Sequence, residues 1–324
     1  MSRSSRCPST STARTARVDS LVGNEDLFAA AGRYGYLHPT YAEAFADAGE
    51  VRHLRRSGSF LLTRPIPGSE YRDASVGHPL LVSRDPRGTL DDLRETAALS
   101  DVVTLSALTD PLASFDEELL RPAFPDLVRV DAQHYVADLA SFWPARDHRR
   151  AAREATSRVD VEVEDAPDAF VARWVALTDR PLPGTALGLS ARSLARQMAL
   201  PGCVAFTVLA EDGPVALAVV YVSGDDATVH AMASSDEGES LGARFALVQA
   251  IAEDMAGRGL RRLDLGAVDA DPGFMDGWTE DVRPSYRCGR ILDRVAYEEL
   301  VAATGAADRL AFPAYRAPAA RLER

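Results

Sequence analysis

The sequence predicts an α/β (α+β) fold of two domains, each with a mixed, mostly antiparallel sheet flanked by helices. Its 324 residues suffice for two domains of ordinary size, each able to bury its own core. Strand-like apolar runs alternate with stretches of helical periodicity along most of the chain. In the second half, three consecutive strand-like runs joined by tight turns lead through a glycine-bearing turn into an amphipathic helix. These three observations set the fold class.

Composition excludes several classes of protein. Hydrophobic content of 46% and charged content of 26% are ordinary for a soluble globular protein, and no apolar run approaches the ~18 residues of a membrane helix. The formal net charge is −12, and all 36 basic residues are arginine. We therefore expect a cytoplasmic protein that binds neither DNA nor membranes. The three cysteines, Cys7, Cys203 and Cys288, are widely spaced and predict neither a disulfide framework nor a metal site.

The amino-terminal part divides into a tail and a first domain. Residues 1–17 are rich in Ser, Thr and Arg and lack the apolar core of a secretory signal, which predicts a disordered tail. Residues 18–144 are the first predicted domain, in which strands and helices alternate. Its predicted helices are 23–32, 41–49 and 89–99, and its predicted strands are 59–64, 78–84, 101–108 and one or two within 126–139.

Residues 145–324 are the second predicted domain, and Pro144 marks the start of its first helix. A short alternating strand and two helices follow, and then come the three antiparallel strands. A long helix, a strand, a loop, and a final strand and helix complete the domain. In chain order, the predicted elements before the loop are helix 145–158, strand 159–165, helices 167–178 and 190–200, strands within 202–235, helix 241–257 and strand 261–266.

This order of elements resembles the GNAT acyltransferase superfamily, and within it the FemAB-like or BioF2-like acetyltransferase branch. The residues that carry the resemblance lie roughly between Gln133 and Tyr297. They are the strand Y-V-A-D-L with the arginine-rich helix R-D-H-R-R-A-A-R, then S-L-G-A-R-F-A-L-V-Q-A-I, A-G-R-G-L-R-R-L-D-L-G, and the aromatic loop G-F-M-D-G-W. Fem-like proteins resemble two packed GNAT domains, so the resemblance implies two GNAT-like domains here, the first of them degenerate.

The resemblance implies that the protein moves an acyl group from an activated donor to an amine by direct attack. We expect a small-molecule amine as acceptor and acetyl-CoA or another acyl-CoA as donor, with no metal. Aminoacyl-tRNA-dependent amide formation, as in Fem-like proteins of secondary metabolism, is the alternative, and tRNA would then be a partner. A non-catalytic ligand-binding scaffold with the same fold is a second alternative.

The donor is expected at the turn that leads into the long helix. Acetyl-CoA enzymes of the superfamily carry a short motif at this turn, with Gln or Arg first, Gly three positions later, and Gly or Ala two positions after that. The matching positions here are Glu239, Gly242 and Arg244. Asp236 and Glu239 also have the spacing of a capping box, so the turn either caps a helix or contacts phosphate. The predicted donor-binding residues are Met232, Ala233, Ser234, Gly242, Ala243 and Arg244.

Four arginines share one face of the first helix of the second domain. Arg146, Arg149, Arg150 and Arg153 are spaced i, i+3, i+4 and i+7. The first three are predicted contacts for donor phosphates or for the acceptor, because guanidinium groups bind phosphate well. A solvated face paired with Glu154 and neighbouring acids fits the spacing equally.

Three residues are candidates for proton transfer. Asp264 ends a predicted strand and matches the Asp-x-Gly strand ending of the resembling family, although it also suits a loop-capping role. His230 titrates near neutral pH by type, although a hydrogen-bonded core histidine is the commoner case. Tyr286 is the predicted general acid.

The aromatic loop between Asp269 and Pro284 is expected to contact the acceptor. Trp278 and Arg283 are its predicted acceptor contacts. Fem-type ligases that act on peptidoglycan precursors carry a Phe-Lys pair in this region, and this chain has no lysine. A cell-wall acceptor is therefore not expected.

Overall fold

A computed structural model of the chain describes residues 35–83, 85–96, 101–165, 167, 169–178, 189–267, 272–305 and 312–316. It confirms the predicted α/β class. The strands are β1 (Glu50–His53), β2 (Phe60–Pro65), β3 (Arg72–Leu81), β4 (Val102–Thr109), β5 (Leu127–Asp138), β6 (Asp160–Asp165), β7 (Cys203–Ala210), β8 (Gly213–Ser223), β9 (Asp226–Ser234), β10 (Arg262–Ala267) and β11 (Val282–Ile291).

The helices surround one large sheet. They are α1 (Pro39–Glu43), α2 (Pro86–Thr96), α3 (Glu117–Leu120), α4 (Arg146–Thr156), α5 (Phe170–Thr178), α6 (Ala191–Met198), α7 (Asp236–Leu241), α8 (Ala243–Gly257), α9 (Pro272–Met275) and α10 (Arg294–Thr304), with 3₁₀ turns at Gly35–Leu37, Ala44–Asp47 and Ala314–Arg316. None of these helices is both long and apolar enough to cross a membrane. The predicted tail 1–17 and the predicted helix 23–32 lie outside the described residues.

The eleven described strands form a single sheet in the order β1-β2-β3-β4-β11-β5-β10-β9-β8-β7-β6. The two parallel pairs are β3 with β4 and β9 with β10. The halves of the chain exchange strands at the centre of the sheet. β5 pairs with β10 of the later half, whereas the late strand β11 pairs with β4 of the earlier half, and β5 and β11 pair with each other. Continuous backbone hydrogen bonding therefore joins the two halves.

Two apolar cores cover opposite faces of the later half of the sheet. On one face α4 and α8 pack against the strands, with Val248, Ile251 and Met255 of α8 buried as the helical periodicity predicts. On the other face α5 and α6 pack together with the segment 35–45 of the earlier half. This second face lies between the halves, so side chains that point to it from β5, β9 and β10 face the earlier half of the chain.

The glycine-bearing turn differs from its prediction. The single helix expected over 241–257 is two helices, because Gly242 adopts a left-handed conformation, with φ of 72°, between α7 and α8. The cap of α7 is Ser235, whose Oγ accepts a hydrogen bond from Gly238 N–H at 3.1 Å, so Asp236 is not the cap. Glu239 instead pairs with Arg244 at 2.8 Å, and the predicted capping box is wrong.

Gly238 is expected to be essential for this turn. A Cβ there would lie 2.4 Å from the Val215 carbonyl oxygen of β8. Because that oxygen belongs to the backbone of a strand, it cannot move away easily. We predict that Gly238→Ala lowers the free energy of unfolding by about 1–3 kcal/mol, measured by denaturant titration. Gly257→Ala is the matched control because a Cβ at that helical glycine meets no atom within 4 Å. Equal stability of the two variants would contradict the prediction.

Candidate functional site

The parallel strands β9 and β10 separate in the middle of the sheet. They pair only from Asp226 to Thr228 on β9 and from Arg262 to Asp264 on β10. Beyond this point β9 continues along β8 and β10 continues along β5. Backbone groups of the two diverging strands are therefore not paired with each other, and an opening in the sheet begins beside Asp264.

A β-bulge lies at the same level on β9. Val219 and Val220 of β8 oppose Ala231 and Val229 of β9, which leaves His230 as the extra residue. His230 Nδ1 is 2.9 Å from the Tyr36 hydroxyl, and its ring lies edge-on to Tyr221. The predicted base His230 is thus on the face that is directed toward the earlier half, next to the opening.

Asp264 and His134 form a hydrogen-bonded pair at this opening. Asp264 is 1% exposed, and both of its carboxylate oxygens lie 3.1 Å from His134 Nδ1. Asp264 Oδ1 also accepts the Gly266 N–H at 2.9 Å. Because the carboxylate holds the Nδ1 proton, Nε2 is the basic nitrogen of the neutral ring. The pair can therefore accept a proton at Nε2 and stabilise the resulting imidazolium.

The surroundings favour the protonated form of His134. Burial lowers the pKa of the ring, but the hydrogen bond to Asp264 and the negative charges of Asp264, Asp110 and Asp131 outweigh it. The net effect is a pKa of His134 above its ordinary value. Sequence reasoning missed His134, although it lies inside the stretch that carries the family resemblance. Its role depends on pairing with a residue 130 positions away across the exchanged strand.

A cavity of about 740 Å³ is lined by residues of both halves, among them strand neighbours of this pair but neither Asp264 nor His134 themselves. Its wall includes Thr228, Arg262 and Arg283. Thr228 is the register partner of Asp264, and Arg283 is the register partner of His134. The other lining residues are Leu37, Val82, Ser83, Pro86, Asp110, Leu112, Ala113, Ser114, Asp138, Ser223, Gly224, Asp225, Asp226, Arg261 and Asp281. We call this space the central cavity.

Two ion pairs lie on the wall of the central cavity. Arg262 binds Asp226 through two hydrogen bonds of 2.7 and 2.5 Å. Arg283 pairs with Asp281 at 2.8 Å. The predicted acceptor contact Arg283 therefore reaches the cavity, but its guanidinium already has a carboxylate partner.

Asp110 is a buried acid on the wall contributed by the earlier half. It is 7% exposed, and its Oδ1 accepts the Leu112 N–H at 2.9 Å. Burial raises the pKa of Asp110 to about 7; the Leu112 hydrogen bond opposes this effect, and the negative charges of Asp264 and Asp226 add to it. Sequence reasoning missed Asp110. Its position directly after the strand β4 was the available signal.

The predicted donor-binding residues lie around the turn between β9 and α8. Met232 and Ala233 are half-buried on β9, and Ser234 Oγ is 3.4 Å from the Val215 carbonyl oxygen. Ala243 is fully buried, so neither its side chain nor its backbone is exposed to a ligand. The Arg244 guanidinium lies 4.4 Å over the Phe274 ring and pairs with Glu239. Its charge is thus already balanced at the position where a phosphate contact was expected.

The arginines of α4 lie away from the central cavity. α4 packs beside α8 through Ala152 and Ala155, on the opposite face of the sheet. Arg146 and Arg150 are exposed, and Arg150 lies 3.6 Å from Asp147. None of the three predicted arginines (Arg146, Arg149 and Arg150) lines the central cavity, and their contact with donor phosphates or with the acceptor stays a prediction. Arg149 donates to the Pro144 carbonyl at 2.6 Å and lies 4.1 Å over the Trp143 ring.

Two further predicted residues lie elsewhere. Trp278 is 1% exposed and stacks on Phe142, so it anchors the loop in the core and is not an accessible acceptor contact. Tyr286 lies opposite Val130 on β5, whereas Asp264 lies opposite Val136. Six residues of strand separate the two positions by roughly 20 Å, so the structure does not bring Tyr286 to the Asp264–His134 pair.

Comparison with known families and structures identifies the fold. Residues 145–272 match the model of the family described as "Acetyltransferase (GNAT) domain". The match covers 128 of the 324 residues and identifies a GNAT-like domain in the later half of the chain. No curated protein matches the sequence of the chain. Its parallel pair β9 and β10 and the α7–α8 turn lie within the matched residues.

Solved structures extend the likeness to both halves of the chain. The crystal structure of FemX matches with a TM-score of 0.58 and 14% identity over 81% of this chain and 93% of that one. L-PGS from Bacillus licheniformis matches with a TM-score of 0.52 and 12% identity, over 80% and 93%. The C-terminal domain of a putative lysylphosphatidylglycerol synthetase from Agrobacterium fabrum matches with a TM-score of 0.50 and 14% identity, over 81% and 90%. The predicted Fem-like fold is confirmed.

Removing the charge of Asp264 should lower the pKa of His134. In Asp264→Asn the hydrogen-bonding carboxylate and its charge are lost, and the burial that lowers the pKa remains. We predict that the ring titrates at lower pH in this variant than in the parent, measured by the pH dependence of the histidine ring signals in NMR. Asp212→Asn, in the exposed β7–β8 turn, should leave the titration unchanged. An unchanged pKa of His134 in Asp264→Asn would contradict the assignment of the pair.

Proposed function

We propose that this protein is an N-acyltransferase that acylates an amine of a small molecule held in the central cavity. The observation that supports this proposal best is the Asp264–His134 pair, which lies where β9 and β10 separate and whose register partners Thr228 and Arg283 line the cavity. A base beside a substrate-sized cavity is what acyl transfer to an amine requires.

The proposed reaction uses His134 as the base. An amine arrives protonated at neutral pH, and His134 Nε2 takes one proton so that the nitrogen can attack the acyl carbonyl carbon. The carbonyl oxygen becomes negative in the tetrahedral intermediate, and backbone N–H groups near the bulge at His230 would stabilise it. The bond to the donor then breaks. The departing thiolate, or hydroxyl oxygen of a tRNA ester, takes the second proton that the nitrogen loses as the amide forms.

Asp264 is proposed to position His134 in this reaction. Its carboxylate fixes the Nδ1–H tautomer and stabilises the imidazolium without itself accepting the proton. The bulge residue His230, bound to Tyr36, lies on the same face of the sheet and shapes the opening through which the acyl group would pass. No covalent enzyme intermediate is needed.

An acyl-CoA is the first candidate for the donor because the family model that matches describes an acetyltransferase. The α7–α8 turn fits the pyrophosphate only in part. Gly242 provides the required backbone conformation at the start of α8. However, Asp236, Glu237 and Glu239 are exposed on α7, and a carboxylate near a phosphate costs roughly 1 kcal/mol or more at interfacial dielectric.

An aminoacyl-tRNA is the second candidate, favoured by one surface feature. Trp143 is 76% exposed, and Arg149 lies against its ring. The exposed Arg146 follows three residues later on α4. An exposed aromatic ring next to arginines is the arrangement on which unpaired nucleotide bases stack while the cations meet phosphate. The fold likeness to FemX, over 81% of this chain, agrees with the tRNA donor that the Fem-like resemblance implies.

Replacing the proposed base tests the reaction. We predict that His134→Gln lowers kcat at least about 100-fold with little change in donor affinity, because proton transfer by a positioned base contributes that much. Turnover is measured as amide formation from acetyl-CoA or aminoacyl-tRNA with a panel of primary amines. In the parent, kcat/KM should fall as the pH drops through the raised pKa of His134, since the base is then protonated. Asp264→Asn should move this fall to lower pH.

His53→Gln is the control for the general effect of removing a histidine. His53 is exposed on the edge strand β1, far along the sheet from β5, and its replacement should leave turnover unchanged. Full activity of His134→Gln would exclude His134 as the base. Binding of neither acetyl-CoA nor aminoacyl-tRNA in calorimetric titration would exclude both catalytic proposals and favour the non-catalytic scaffold.

The surface at Trp143 distinguishes the donors. If the donor is aminoacyl-tRNA, Trp143→Ala should weaken its binding at least about tenfold, because base stacking on an aromatic ring contributes about 1–3 kcal/mol. Arg150→Ala should also reduce the dependence of binding on salt concentration. Arg196→Ala, an exposed arginine of α6, is the matched control. Unchanged tRNA binding in both Trp143→Ala and Arg150→Ala would remove this surface from the donor site.

A further inference from the structure

The central cavity carries more negative than positive charge. Five aspartates and three arginines line it. Two of the arginines, Arg262 and Arg283, are already bound to Asp226 and Asp281. The third, Arg261, is exposed at the rim. The interior therefore offers a ligand no cation that lacks a carboxylate partner among the described residues, and it offers a surplus of carboxylate.

Among these carboxylates, Asp110 is the one whose surroundings indicate a ligand. It is more than nine-tenths buried, and only its Oδ1 has a hydrogen-bond partner among the described residues, the Leu112 N–H. The other oxygen belongs to a side chain that lines the cavity. A carboxyl oxygen that faces the cavity can accept a hydrogen bond from a ligand. Burial raises the pKa of Asp110 to about 7, although the Leu112 hydrogen bond and the positive charge of Arg262 oppose this effect.

Asp110 and the Asp264–His134 pair approach the cavity from different halves of the chain. Asp110 follows β4, whereas Asp264 and His134 lie on β10 and β5. Asp110 lines the same cavity as Thr228 and Arg283, which are the register partners of Asp264 and His134. A single small ligand in the cavity can therefore meet the base with one group and Asp110 with another.

We propose that the acceptor is a diamine or other doubly basic amine, with one amine directed to His134 and a second, protonated amine bound by Asp110. The chemistry of the cavity determines the class of ligand. Among the described residues, the cavity has no available interior cation that could bind a carboxylate or phosphate, whereas the carboxyl group of Asp110 can bind an ammonium group. The role of His134 rests on the proposed function, whereas the binding of the second amine by Asp110 does not.

Binding without any donor tests the proposal directly. Isothermal titration of the full chain with α,ω-diaminoalkanes of increasing length and with the matched n-alkylamines should show at least tenfold tighter binding for a diamine than for the monoamine of the same length. Asp110→Asn should abolish this difference while leaving monoamine binding unchanged. Asp212→Asn, in the exposed β7–β8 turn and outside the cavity lining, is the control and should keep the preference. Thermal unfolding of each variant verifies that it is folded.

A second readout identifies Asp110 as the group that responds. Near pH 6.5, titrations in buffers of different ionisation enthalpy should show proton release when the diamine binds to the parent, because an ammonium partner drives the carboxyl to ionise. The release should be absent in Asp110→Asn. Equal affinity for diamine and monoamine, or an unchanged preference in Asp110→Asn, would overturn the proposal.

The failure of this proposal and of the proposed function are distinguishable. Acyl transfer to monoamines with no preference for diamines would leave the acyltransferase intact and refute the role of Asp110. A diamine preference that depends on Asp110, in a protein that transfers no acyl group from either donor, would support the binding site and refute the catalytic function.

Discussion

The exchange of β5 and β11 between the halves determines the rest of the molecule. Because β5 leaves the earlier half and pairs with β10, it brings His134 beside Asp264. Because β11 returns from the later half, it brings Arg283 beside His134 and pairs onward with β4. The walls of the central cavity are thus linked by backbone hydrogen bonds. A hinge between two separately folded halves would not give the cavity this fixed shape.

The cleft holds two buried carboxyl groups in opposite conditions. Asp264 has the Gly266 N–H and the His134 ring as donors, so its negative charge is compensated in place. Asp110 has one backbone N–H and two negative neighbours, Asp264 and Asp226, so burial raises its pKa to about 7. Two carboxyl groups in such different environments can take different roles in one site. One carboxylate is committed to a histidine, and the other is available to a ligand.

The sequence predicted what local pattern determines. β4, β5 and the three strands β7 to β9 follow from apolar periodicity and turn residues, whereas the left-handed break at Gly242 was not predicted. Trp278 was predicted to contact the acceptor because it belongs to an aromatic loop that follows a strand, but its ring fills a core among Phe142 and His148. Local composition does not show which way a loop side chain points.

The functional residues that sequence reasoning missed all depend on distant pairing. His134 resembles an ordinary alternating residue of β5 until the strand exchange places it next to Asp264. Asp110 acquires its character only when Thr228 and Arg262 of the other half close the cavity around it. Tyr286 shows the converse, because its nearness to the aromatic loop in sequence suggested a shared site, whereas β11 carries it along the sheet to the core of the earlier half.

The donor side depends on how the turn before α8 balances its charge. Three acids at the start of α7 suit the positive end of a helix, and Glu239 is further neutralised by Arg244. Arg244 in turn rests on Phe274 of the loop that follows β10. A phosphate that replaced Glu239 as the partner of Arg244 would therefore have to displace an existing ion pair. In the proposed function, the exposed Trp143–Arg149 surface is therefore the candidate contact for the nucleotide part of the donor, because it combines an aromatic ring with a cation.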